Sequence, residues 1–235
     1  MSEFYILQME AVLDLPQIKP STQRPPIEKE SAVECVQLHN ISWETYQQLV
    51  EDQMGKRNVR LTYDDGDLEI MVVSYKHGNY SSYLELIVAA IADLFEIDFV
   101  PAGTTTFRGE KKKKGFEGDG SFYFKNAEVV RGKDAIDLSF DPPPELIIEV
   151  DITHGPLSKF PILAAVGVEE IWRFNGEDVI FYRLENEDYK QVAESVCLAR
   201  VKSEVVTELL FAAEEMKRSE WLKLVHRLIE NKSDI

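Results

Sequence analysis

The chain has little cysteine: Cys35 and Cys197 are the only two in 235 residues, and they lie far apart. That spacing excludes a disulfide framework and a cysteine-based zinc site. Positive charge is also scarce, with 26 Lys and Arg against 42 Asp and Glu, a net charge of -16. A broad basic binding surface is thereby excluded, because phosphate backbones repel an acidic molecule at long range. A local basic patch or a bound metal would still allow contact with nucleic acid. No stretch approaches the roughly 20 apolar residues that cross a bilayer. The N-terminus lacks the basic start and apolar run of a signal peptide. There is no internal repeat and no low-complexity tract. These absences lead to the expectation of a cytoplasmic protein with no membrane partner. What is present, 44% hydrophobic and 29% charged residues, is ordinary for a globular protein. The length suits one large domain with a full core.

Along the chain, residues 1–34 read as an arm or linker, broken by Pro16, Pro20, Pro25 and Pro26. Residues 35–200 read as the main domain, and residues 201–235 as two helices packed on it. Ser42 is placed to cap a helix from Trp43 to about Asp52. Two strands, Val59 to Tyr63 and Leu68 to Val73, flank Asp64-Asp65-Gly66-Asp67, a strong hairpin signal. Tyr80, Tyr83, Leu84, Ile87, Val88, Ile91, Leu94 and Phe95 recur every three or four residues, which predicts a long helix with one apolar stripe. Phe99 to Phe107 reads as a strand, Lys111 to Lys114 as a solvated basic run, and Phe122 to Phe124 as a buried aromatic strand. Asn126 to Asp141 reads as loop. Ser158 is placed to cap a helix ending at Gly167, with Pro161 in its first turn. Glu170 to Phe174 and Val179 to Leu184 form a second hairpin across Asn175-Gly176. Val205, Leu209 and Ala213, then Trp221, Leu224, Val225 and Leu228, line the two closing helices.

The most informative stretch is PELIIEVDITHGPLSKFP, residues 144–161. In a strand from Leu146 to Asp151, Leu146, Ile148 and Val150 share one face, while Glu145, Ile147, Glu149 and Asp151 share the other. Glu149 and Asp151 then lie ~7 Å apart on a strand otherwise built for burial. Neighbouring carboxylates repel unless a cation neutralises them. Lys159 supplies one positive charge, and a hard metal ion would supply more. This stretch reads as half of a metal site.

Four stretches together carry a resemblance: DDGDLEIM (64–71), His77-Gly78 opening the long helix, FEGDGSFYF (116–124), and the segment from Glu145 to Phe174. From about Leu38 to Trp172 the chain resembles the PD-(D/E)XK nuclease superfamily, and within it the cyanobacteria-abundant group labelled as restriction endonucleases. The resemblance implies an α/β, restriction-endonuclease-like fold: a mixed central sheet flanked by helices, to which the chain adds its C-terminal helical pair. It implies that Asp119 is the first metal-binding aspartate and Glu149 the second acid. Lys159 stands as a lysine that has migrated to the following helix, since the usual position, two residues after the acid, holds Asp151. Gly118 replaces the proline expected before Asp119.

Phosphodiester hydrolysis needs charge stabilised on phosphoryl and leaving oxygens, and a water made nucleophilic; Mg2+ (or Mn2+) supplies both. Such an ion is commonly held by one or two carboxylates. Asp119 and Glu149 suit that role, the Val150 carbonyl adds an oxygen, and Lys159 assists the water. Asp151, His77 and His154 are accessory candidates, with strand-end and solvated-loop roles as the plainer readings. The expectation is a Mg-dependent deoxyribonuclease, a hydrolase acting on DNA, with a homodimer as the form that would cut both strands. The alternative is a non-catalytic binding or assembly module that retains the nuclease fold.

Overall fold

The computed structural model describes residues 35–53, 59–152, 157–198 and 200–232. The N-terminal arm and His154 lie outside the described residues. Among those described, eleven strands divide over two sheets rather than forming a single one.

The first sheet has the order β1-β3-β2-β6-β5 and is antiparallel throughout. It contains β1 (Cys35–Leu38), β2 (Val59–Asp64), β3 (Asp67–Val72), β5 (Thr106–Gly109) and β6 (Lys114–Glu117). The β2–β3 hairpin forms as its sequence predicts: Asp65 and Gly66 take φ of 45° and 105°, the left-handed values such a tight turn demands. Helix α1 (Trp43–Gln53) packs Trp43 and Tyr46 onto Leu61, Tyr63 and Leu68 of this sheet. Ser42 caps it, its Oγ accepting from the Thr45 N–H at 3.1 Å.

The second sheet is mixed, with the order β11-β10-β9-β8-β7-β4. Its strands are β4 (Val100–Pro101), β7 (Gly120–Tyr123), β8 (Leu146–Val150), β9 (Glu170–Phe174), β10 (Val179–Glu185) and β11 (Asp188–Val192). Only β8 and β9 run parallel. Their crossover carries helix α4 (Phe160–Val166), as a parallel pair requires. The alternation read from β8 holds. Leu146, Ile148 and Val150 enter one core with helix α2 (Tyr75–Leu94) and the C-terminal pair α5 (Ser203–Glu215) and α6 (Arg218–Lys232). Ile147 enters the opposite core with Ile162 and Leu163 of α4. Each buried Leu, Ile or Val contributes about 1.5–3 kcal/mol of apolar transfer.

Three expectations change. The strand read from Phe99 to Phe107 is two short strands in different sheets. Pro101 has no N–H to extend a ladder, and Gly103 turns the chain at a φ of 54°. The stretch from Asn126 to Asp141 contains one short helix, α3 (Ala127–Val130). Lys159, not Ser158, holds the N-cap position of α4, without a side-chain cap, while Pro161 sits in its first turn and Gly167 closes it at a φ of 92°.

The chain passes from the first sheet to the second between Glu117, the last residue of β6, and Gly120, the first of β7. Asp119 lies in that gap. Glycine flanks it because there is little room: a Cβ on Gly118 would come within 3.1 Å of Ile147, and one on Gly120 within 3.0 Å of Glu85. The proline that the resemblance led one to expect is replaced at a seam where backbone and side chains already press close.

Candidate active site

Asp119, Glu149 and Lys159 converge where the two sheets meet. All three are nearly covered, with side-chain exposures of 1%, 11% and 10%. Four hydrogen bonds bring them together. The Asp119 N–H donates to the Ile148 carbonyl at 3.0 Å, stitching the gap residue to β8. The Val150 N–H donates to Asp119 Oδ2 at 2.9 Å, so the acid is bonded to the strand that carries Glu149. Lys159, at the start of α4, donates through Nζ to Glu149 Oε2 at 2.7 Å and to the Glu117 carbonyl at 3.0 Å.

Residues beyond the expected trio complete the surroundings. Arg60 of β2 is buried, with Nε 3.8 Å from Asp119 Oδ1 and Nη1 4.0 Å from Glu117 Oε2. Thr106 Oγ1 donates to Glu117 Oε1 at 2.7 Å. Ser81 Oγ donates to the Asp119 carbonyl at 2.6 Å. Glu69 of β3 accepts the Leu157 N–H at 2.9 Å, tying the first sheet to the segment that leads into Lys159. His77 is not the solvated loop residue that its sequence neighbourhood predicts. Helix α2 starts five residues before the apolar stripe does, Ser74 Oγ accepts the His77 N–H at 3.2 Å, and the ring is buried with Nε2 2.8 Å from Asp119 Oδ1. A signal was available: His77, Ser81 and Glu85 recur every four residues, a polar stripe on an otherwise apolar helix.

Asp151 is engaged by a partner outside this trio. It lies just past β8 and accepts from Arg173 Nε at 2.9 Å, an ion pair along the neighbouring strand β9. The basic run is also committed elsewhere. Lys114 pairs with Asp64, Lys112 donates to the Ala165 carbonyl, and Lys111 and Lys113 sit 5.4 and 5.3 Å from the ring centres of Phe140 and Trp43.

Burial and charge act unequally on these groups. Burial pushes the Glu149 carboxyl up to about 7, against the pull of Lys159 and with the help of Asp119. Burial would raise Asp119 too, but its contacts with His77, Lys159 and the Val150 N–H outweigh that and hold it below the usual carboxylate range. Burial would discharge Lys159, but Glu149 and Asp119 keep it a firm cation. Glu117 and Glu85 are raised as well, chiefly by burial. Four carboxyls, Glu85, Glu117, Asp119 and Glu149, thus share Arg60 and Lys159 as their nearby cations. Two oxygens, Asp119 Oδ1 and Glu149 Oε1, are buried without an aligned hydrogen bond. Leaving such atoms unmatched costs about 1–3 kcal/mol each, more when charged. Among the described residues no three His, Cys, Asp or Glu side chains close into a ready-made metal cage. Sparse oxygen ligation of the kind hard divalent ions accept is the arrangement this donor set suits.

The two sheets and their flanking helices form a nuclease-like α/β fold of restriction-endonuclease type, with an acid at the sheet junction, a second acid on the adjoining strand and a lysine from the next helix. Residues 43–210 match the model of the Uma2 family, whose description is "Putative restriction endonuclease". That match covers most of the chain, and the protein belongs to this family. No curated protein matches it. Among solved structures, the chain is similar to a crystal structure from Anabaena variabilis described as "a putative nuclease belonging to DUF820". The two share 15% identity at a TM-score of 0.46, over 80% of this chain and 99% of that one. No helix among the described residues is long and apolar enough to cross a membrane.

Proposed function

We propose that the protein is a divalent-metal-dependent endonuclease that hydrolyses DNA phosphodiester bonds. The observation that carries this reading is the pairing of two unmatched carboxylate oxygens, Asp119 Oδ1 and Glu149 Oε1, with a buried lysine on the same glutamate. Asp119 and Glu149 would hold the ion, with the Val150 carbonyl as a further oxygen. The bound ion supplies Lewis acidity and an activated water. Lys159 orients that water through its ammonium and stabilises charge growing on the phosphoryl oxygens. Arg60, fixed between Glu117 and Asp119, adds a second positive charge on the same side. Glu69 keeps the Lys159 segment in register with the first sheet. With a net charge of -16, DNA would be held by contacts local to the site and not by the general field of the protein.

The test is cleavage of plasmid DNA with Mg2+ or Mn2+, with Asp119→Ala and Glu149→Ala as controls. Activity abolished by both substitutions supports the reading; activity that survives them, or that no divalent ion elicits, rejects it. A homodimer would present two such sites to two strands, and light scattering that returns a monomer at every concentration would remove that extension. A second reading, a non-catalytic binding or assembly module, is favoured by one observation: Lys159 already neutralises Glu149 at 2.7 Å. Calorimetric titration with Mn2+ separates the two, since a module of that kind has no need of an ion at Glu149.

A further inference from the structure

The contact between His77 and Asp119 is close but is not a well-formed hydrogen bond. Nε2 and Oδ1 are 2.8 Å apart, and the two residues are 2% and 1% exposed. Neither atom has an aligned hydrogen-bond partner, and His77 Nδ1 has none either. An ordinary donor–acceptor pair directs its N–H along the line between the heavy atoms. Two atoms that approach this closely off that line can instead direct their lone pairs at a shared third point. Donor atoms about 3 Å apart are what two metal bonds of about 2.1 Å at a right angle produce.

The alternative, that His77 serves to hold Asp119 in place, is already provided for by other groups. Ser81 Oγ fixes the Asp119 carbonyl, the Ile148 carbonyl takes its N–H, and the Val150 N–H takes Oδ2. The backbone of the histidine is set in the first turn of α2 by Ser74, whose Oγ accepts the His77 N–H. Buried, and 2.8 Å from the one Asp119 oxygen without an aligned partner, its imidazole has the placement of a ligand.

Building on the metal-dependent reading above, we propose that His77 Nε2 is a metal ligand beside Asp119 Oδ1, so that the site selects manganese or a similar imidazole-accepting divalent ion over magnesium. Imidazole nitrogen is a poor match for Mg2+, which prefers oxygen donors and retained water, and a good one for first-row transition ions. The two atoms form an edge, not a cage, and the rest of the sphere is left to solvent and to groups that move in on binding.

The experiment is pulsed electron paramagnetic resonance on the full chain loaded with Mn2+, together with calorimetric titration of Mn2+ and Mg2+. The wild-type complex should show 14N modulation from a directly bound imidazole, and Mn2+ should bind at least about tenfold more tightly than Mg2+. His77→Gln, which keeps most of the volume, should lose the modulation and most of the preference; circular dichroism checks that it folds. Because the spectrum is read on the wild-type protein, failure of a variant to fold does not remove the test. Manganese bound without nitrogen modulation overturns the inference and leaves the metal-dependent reading standing. Absence of binding by either ion overturns both.

Discussion

Arg60 reaches Asp119 across the seam between the two sheets, its Nε 3.8 Å from Oδ1, with both side chains almost wholly buried. The ion pair therefore does two jobs: it offsets part of the negative charge of the site, and it joins β2 to the segment where the chain changes sheets.

Removing that cation leaves Asp119 under-compensated. Arg60→Met should lower stability by about 3–5 kcal/mol, the usual cost of breaking a buried pair by deleting one partner. Urea unfolding in a metal chelator measures the loss. Added Mn2+ should recover part of it, because a bound ion replaces the missing charge and stabilises only the folded state.

Lys159→Met should separate chemistry from binding. DNA cleavage should fall by about 10²–10³, the range seen when one electrostatic stabiliser is deleted. Affinity for a divalent ion should hold or rise, since the cation competing for Glu149 Oε2 is gone. Single-turnover kinetics alongside metal titration would show the split, and a parallel loss in both would argue that the lysine acts only on structure.

The metal-free protein should lose stability as pH rises through the weakly acidic range. Glu149 is raised from an ordinary 4.5 to about 7 in the fold, and Glu85 and Glu117 are raised too. Below the ordinary value both folded and unfolded chains hold these protons, and nothing is lost. Above it the unfolded chain ionises first, so the fold is progressively disfavoured until Glu149 itself ionises near pH 7. Asp119 shifts the other way: its contribution is complete above its ordinary value and is lost only as pH falls through its depressed one, outside this window. Thermal melts from pH 4.5 to 7.5 in a chelator should therefore decline. Metal affinity should increase over the same interval by up to tenfold per pH unit, because each ion displaces the Glu149 proton.

Gly115→Ala tests the fold away from the site. A Cβ there would lie 2.1 Å from Tyr46 Oη, and Tyr46 cannot retreat because it stacks on Tyr63 with ring centres 4.8 Å apart and leans on Trp43 at 5.2 Å. The cost should be about 1–3 kcal/mol. A melting temperature equal to wild type would show that the aromatic cluster yields more readily than its packing implies.

What could be read in advance follows from how local each signal is. The Asp65-Gly66 turn, the stripe of α2 and the two faces of β8 are written in residues close together in sequence, and each forms as expected. The trio of Asp119, Glu149 and Lys159 could be named as candidates because family resemblance carries long-range information that periodicity does not, and the three side chains do lie together. Arg60, Glu69 and Glu117 were missed because alternation along a strand says which side chains share a face, not which second sheet will cover that face. Phe99 to Phe107 was misread because its threonines and aromatics favour strand at every position, while the decision to leave one sheet for another rests on Pro101 and Gly103.

The change of sheet at Gly118–Asp119 has a mechanical corollary. A cation seated on Asp119 would rivet the two layers at a point where the backbone itself crosses between them. Loading the ion should then merge their melting into one sharper event and slow amide exchange in β6 and β7 together, far beyond the handful of atoms that touch it.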